Sequence, residues 1–258
     1  MSATDAFTSE IDWVSARFTV GHPRIRLICL PHAGGGAGAF GAWRPYVPEG
    51  VELAPVELPG RGSRIGEPVP DALEPLVEAL LTGLRSELTM PYALFGHSFG
   101  AVLAYELTRR TEQYGLRPPS ALLASGSRAP HLPLGRAAVA GGDDEELIAW
   151  LGRSGGLPSE LLDFPDFLRD LLRPVRSDMA LAEAYRIPRP VKVRCPLFAF
   201  AGAQDEVATE AQVAPWAQYT SAAHRLRVLP GGHGFPQTHP EETLSAVLGS
   251  LAEIGAVG

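Results

Sequence analysis

Residues 92–106 read Tyr92-Ala93-Leu94-Phe95-Gly96-His97-Ser98-Phe99-Gly100-Ala101-Val102-Leu103-Ala104-Tyr105-Glu106. The apolar run Tyr92–Phe95 has the length and composition of a buried strand, and Ala101–Tyr114 has helical spacing. Between them stands Gly-x-Ser-x-Gly at Gly96–Gly100. A strand that turns sharply into a helix at such a pentapeptide holds its serine in a strained backbone and lifts the hydroxyl clear of the sheet. Side chains at Gly96 and Gly100 would collide with neighbouring backbone, so both positions require glycine. The serine also stands at a helix N-terminus, where unpaired N–H groups face developing negative charge.

Working outward, the same alternation continues. Ile25–Leu30, Val51–Leu58, Ala121–Ser125, Leu197–Ala201 and His224–Leu229 read as further strands. Leu73–Leu88, Glu210–Tyr219 and Glu241–Ile254 read as helices, and Ala39–Tyr46 as a short one. Strand–helix alternation predicts an α/β chain with a mostly parallel sheet covered by helices. It breaks between about Pro130 and Pro190, where Asp143–Leu151, Ser159–Leu172 and Val175–Tyr185 read as helices parted by Gly155-Gly156 and Pro174. The expectation is one domain over residues 1–258, with 130–190 a mobile helical lid inserted over the sheet edge.

Composition narrows the function. Basic residues number 22 against 29 acidic, a net charge of −7, which argues against a general nucleic-acid binder. Lys192 is the only lysine. Cys29 and Cys195 sit in apolar runs and read as buried structural thiols, not as a disulfide framework. No apolar run approaches the roughly 18 residues of a membrane helix. Met1–Glu10 is polar and acidic, unlike a secretory signal, so the expected compartment is the cytoplasm.

A serine hydroxyl needs a base, and the base needs a carboxylate to orient it. In α/β hydrolases the chain order is Ser, acid, His. His233, in Gly231-Gly232-His233-Gly234-Phe235 after the last predicted strand, is preferred as the base over His239, which precedes Pro240. The acid is expected at the end of Leu197–Ala201, where Asp205 comes out of the turn before its rival Glu206. Two backbone N–H groups should form the oxyanion hole: Phe99, after the serine, and Ala33, in Pro31-His32-Ala33-Gly34-Gly35-Gly36. That loop could instead cradle a phosphate. It lacks, however, a dinucleotide fingerprint with a helix opening at its third glycine, and the Walker Gly-Lys-Ser/Thr is absent. No metal constellation stands out, and no cofactor is expected.

Several segments together resemble the type II thioesterases of polyketide and nonribosomal peptide assembly lines. They are Leu30-Pro31-His32-Ala33-Gly34-Gly35, Leu58-Pro59-Gly60-Arg61 with Arg64, and the elbow extended through Ala104-Tyr105-Glu106. Asp143–Leu147, Gly155-Gly156-Leu157-Pro158 and Arg176-Ser177-Asp178 with Glu183 and Tyr185 are similar to the family's lid, and the Gly231–Phe235 region closes the match. The resemblance implies an α/β-hydrolase fold and a free-standing enzyme that removes stalled or aberrant acyl groups from the phosphopantetheine of acyl- or peptidyl-carrier proteins. The expected partner is such a carrier, with no nucleic-acid or membrane partner, and the chain is expected to be a monomer. Alternatives on the same fold are a small-molecule esterase or amidase, a chain-terminating cyclase, and a non-catalytic binding protein. Because carriers of these pathways are acidic and this chain is acidic too, docking is expected to use a local arginine patch at Arg61, Arg64 and Arg128.

Overall fold

The computed structural model describes residues 13–135, 137–154 and 165–257. Its strands are β1 (Phe18–Leu30), β2 (Glu49–Pro55), β3 (Tyr92–His97), β4 (Leu122–Ser125), β5 (Leu197–Gly202) and β6 (His224–Leu229). They form one six-stranded sheet in the order β2-β1-β3-β4-β5-β6, and every neighbouring pair is parallel. Period-two alternation divides the apolar residues between two cores. On β1, Ile25, Leu27 and Cys29 point to one face and Ile28 and Leu30 to the other. On β3, Ala93 and Phe95 join the first face and Tyr92 and Leu94 the second.

Helices cover both faces. Helices α1 (Leu73–Gly83) and α2 (Phe99–Gln113) bury Leu76, Leu80, Leu103 and Leu107 on one side. A 3₁₀ segment (Ala37–Tyr46) and α7 (Pro240–Glu253) bury Phe40, Trp43, Leu244 and Val247 on the other. That 3₁₀ segment contains Gly36-Ala37-Gly38-Ala39-Phe40-Gly41 save for Gly36, its cap, and it spells the letters of a dinucleotide motif. Its Phe40 and Trp43 are fully buried core groups, so the stretch packs against the sheet instead of cradling a phosphate.

Between β4 and β5 lie α3 (Asp144–Ser154) and α4 (Pro165–Ala184). They pack on each other through Leu147, Leu151, Leu168, Leu172, Val175 and Met179. The two expected helices parted at Pro174 are one helix: Pro174 lies inside α4. Proline there forgoes one i→i−4 bond. The buried Val175, Asp178 and Met179 hold the turns that follow. Gly155–Pro158, Leu161, Leu162 and Phe164, and the N-terminal Met1–Glu10, lie outside the described residues. Both cysteines are buried, and burial lifts the Cys195 thiol to about 12 and Cys29 well above its ordinary value. Among the described residues, no helix is long and apolar enough to cross a membrane.

Candidate active site

Ser98 follows β3 and caps α2 with φ 55° and ψ −115°, and among the described residues no other non-glycine has a positive φ. The strain persists because its surroundings leave no alternative. A Cβ on Gly96 would stand 2.0 Å from the Gly100 carbonyl oxygen, and one on Gly100 would stand 2.1 Å from that of Leu30. The Ser98 N–H donates to the Ser125 carbonyl at 2.8 Å, which ties the turn to β4.

His233 stands on the loop after β6, with Nε2 3.0 Å from Ser98 Oγ. Its Nδ1 lies 2.9 Å from Asp205 Oδ2, on the loop after β5. The other Asp205 oxygen accepts the N–H groups of Val207 at 2.8 Å and Ala208 at 2.9 Å. The Asp205 carboxylate is thus fully engaged and cannot turn away from the imidazole. Glu206, its rival, is exposed, and His239 caps α7 with Nδ1 2.9 Å from Thr238 Oγ1. Three loops at the carboxyl ends of parallel strands therefore bring Ser98, His233 and Asp205 into one hydrogen-bonded line. Beside Ser98 opens a cavity of about 70 Å³, lined in part by Val102, Leu134, Ala182, Tyr185, Val207 and Ala208.

Comparison with known proteins identifies the family. The model of the thioesterase domain matches residues 25–251. The chain belongs to the thioesterase family. The thioesterase PikA5 of Streptomyces venezuelae is 36% identical over 228 residues, covering 86% of this chain and 79% of its own. A protein of Brevibacillus parabrevis named linear gramicidin dehydrogenase LgrE is 32% identical, covering 93% of this chain and 92% of its own. Among solved structures, the RedJ thioesterase of the prodiginine pathway in Streptomyces coelicolor superposes with a TM-score of 0.81 at 39% identity, over 88% of this chain and 90% of its own. The type II thioesterase BorB from the borrelidin cluster does so with a TM-score of 0.81 at 34% identity, over 96% and 99%. The chain is thus a hydrolase of the α/β-hydrolase fold.

In this thioesterase Phe99 is the first residue of α2, so its N–H has no intrahelical acceptor. Along the loop after β1, the N–H of Gly34 goes to Asp178, that of Gly35 to His32 O and that of Ala37 to Glu57. The Ala33 N–H has no acceptor among the described residues. The loop abuts the start of α2, since a Cβ on Gly100 would also stand 2.7 Å from Pro31 O.

Two further histidines flank the site. His97 is buried, with Nδ1 3.0 Å from Ser125 Oγ and its ring 5.1 Å from that of His233. Burial holds its pKa well below the ordinary value, and burial lowers His32 to about 4. Neither carries charge near neutral pH, so neither adds positive charge beside His233. The sign of the linkage follows. In the unfolded chain both take a proton below about pH 6.5, and in the folded one they resist it. Their contribution to stability is therefore present in full above about pH 6.5 and is lost on acidification, by up to about 1.4 kcal/mol per pH unit per histidine. Urea midpoints measured from pH 7 to 5 should fall, and His97→Gln should flatten that slope by about one histidine's share.

The arginines expected at a docking patch are placed otherwise. Arg61 is 6% exposed and paired with Asp178. Arg64 is 1% exposed, stacked 3.9 Å above the Trp13 ring, with Nε on Glu67 at 2.8 Å. Arg128 donates to the carbonyls of Leu132 and Tyr185, each at 3.0 Å, and so caps the end of α4. Arg61 and Arg64 are thus buried and ion-paired, which does not fit the docking role expected for them, whereas Arg128 is half-buried and lines the cavity beside Ser98. A guanidinium in a Pro-Gly-Arg turn has internal carbonyls within reach, and that is what Arg61 takes, at Pro59 O.

Asp178 is the group the sequence reading missed. It appeared there only within the Arg176-Ser177-Asp178 segment, although a carboxylate on an amphipathic helix facing inward needs a buried cation.

Proposed function

We propose that this thioesterase cleaves acyl groups from the phosphopantetheine thiol of carrier proteins, with Ser98, His233 and Asp205 as its triad. The observation that carries the reading is the Ser98–His233–Asp205 line beside a small cavity. Ser98 Oγ attacks the thioester carbonyl while His233 Nε2 takes its proton. Asp205 holds the imidazole with Nε2 toward the serine and stabilises the imidazolium. The N–H groups of Ala33 and Phe99 receive the oxyanion. Collapse expels the pantetheine thiol, protonated from His233, and leaves acyl-Ser98. Water, deprotonated by His233, then releases the acid. Residues 130–190 serve as a lid within a single domain, and Ala182 and Tyr185 on that segment line the cavity.

The carrier docks on the segment after α4. Arg186, Arg189 and Lys192 are exposed, Arg194 is exposed and paired with Glu112, and no acidic residue occurs in sequence between Glu183 and Asp205. In a chain of net charge −7, this run supplies the local positive potential that an acidic carrier requires. The segment starts next to Tyr185, which lines the cavity.

The test offers a panel of acyl-loaded carriers and matching small acyl thioesters and oxoesters, with loss of acyl groups read by intact-mass spectrometry. Preference for the carriers supports the reading, and preference for free oxoesters refutes it. Arg186→Glu with Arg189→Glu should lower kcat/KM on carriers about tenfold at low salt, and the deficit should shrink as salt is added. Small thioesters should be spared. Equal loss on both would place these arginines in the shaping of the site.

A further inference from the structure

The loop that carries Ala33 is held from two sides. His32 to Gly35 is a turn, with the Gly35 N–H donating to His32 O at 2.9 Å and Gly34 at φ +76°. A positive φ at the third position is the signature of a type II turn. The His32 carbonyl points into the turn. Because a trans peptide sets C=O and N–H in opposite directions, the Ala33 N–H on the same peptide points out of it. The next peptide is held from outside. The Gly34 N–H donates to Asp178 Oδ2 at 2.8 Å.

Asp178 lies on α4 and is fully buried. Its carboxylate is bonded to Arg61 through Nη1, and through Nη2 at 3.2 Å. Arg61 also reaches back to the loop, from Nη1 to Gly35 O at 3.4 Å, and is fixed by Pro59 O at 3.0 Å from Nη2. One turn earlier on α4, Val175 packs on the loop so closely that a Cβ on Gly34 would stand 2.1 Å from its Cγ2. Helix α4 thus touches the turn at Gly34 both by a charged acceptor and by an apolar contact. The same helix lines the acyl cavity with Ala182 and Glu183.

We propose that Asp178 is a positioning residue: by docking on Gly34 and Arg61 it sets the Ala33 N–H in place, so that the helix covering the cavity also assembles half of the oxyanion hole. The inference rests on the reading of Ser98 and Ala33 given above. It makes the position of α4 a condition for turnover. An enzyme whose α4 is displaced would hold a disordered oxyanion donor.

The test compares Asp178→Ala and Asp178→Asn with the wild type on a small acyl thioester, together with inhibition by an alkylboronic acid, which forms a tetrahedral adduct on the serine. Asp178→Ala should lower kcat about 10- to 100-fold with KM within about twofold, since it misplaces one oxyanion donor. Boronate affinity should fall by a similar factor. Asp178→Asn keeps an acceptor for Gly34 and should recover most of the loss. Unchanged kcat in folded Asp178→Ala would overturn the proposal, as would a loss confined to KM with boronate affinity intact. Should Asp178→Ala fail to fold with Arg61 left unpaired, the double variant Arg61→Met with Asp178→Leu removes both charges and is read in the same way. Full kcat in that variant overturns the proposal, and reduced kcat with weakened boronate binding supports it. Failure of the underlying reading is distinct: the wild type itself would then not bind the boronate.

Discussion

Ser98→Ala should abolish thioester hydrolysis, by roughly 10⁴- to 10⁶-fold in kcat, in a protein that still folds. In the proposed mechanism the hydroxyl supplies the atom that bonds to the acyl carbon. Folding is spared because the Ser98 side chain makes no cap bond to α2, and the elbow is held by backbone and by glycine contacts. Residual rate would come from the oxyanion donors and binding alone. Circular dichroism and thermal midpoint establish the fold, and burst-phase mass spectrometry establishes whether acyl-enzyme forms. Wild-type turnover in the folded variant would remove Ser98 from the mechanism.

His233→Ala should be comparably damaging, within about tenfold of Ser98→Ala, and combining the two should add little, because the pair acts as one unit. His239→Ala is the control. It lies in the same loop region, and its Nδ1 faces Thr238 Oγ1 rather than Ser98. It should retain wild-type kcat within about threefold. The reverse pattern would transfer the base to His239. A ring-sized replacement, His233→Gln, should not restore activity, since an amide cannot accept and return the proton.

These expectations were open to sequence reading because they depend on local pattern. The elbow announces itself as strand, pentapeptide and helix, and the order Ser, acid, His then leaves few candidates. Strands β3 to β5 are legible because most of their residues are apolar and their ends are marked by turns. Strand β1 was longer than its apolar run: it starts at Phe18, and its first half is mostly exposed, so no hydrophobic pattern reports it. Pro174 was read as a break because proline disfavours a helix interior, whereas tertiary burial on both sides of it keeps α4 whole. The arginines were misplaced for a related reason. Exposure is a tertiary property, and nothing in Pro59-Gly60-Arg61 reveals a carboxylate 117 residues away. The pair forms only in the tertiary fold, so it is invisible to any window along the chain.

The three-loop origin of the site has a consequence for biosynthesis. Ser98 and its histidine partner are 135 residues apart in the chain, and β5 and β6 separate the elbow from Asp205 and His233. A nascent chain that has emerged only through β4 already owns the elbow, with α2 ready to dock on β1 and β3. It possesses neither acid nor base. Parallel pairing across so long a connection is slow, because the intervening segment must be ordered before the contacts reward it. During that interval the serine is a plain alcohol. On the proposed triad, hydrolytic competence therefore arrives late, with the strands that carry the acid and the base, and an unfinished copy should leave the acyl chains around it untouched.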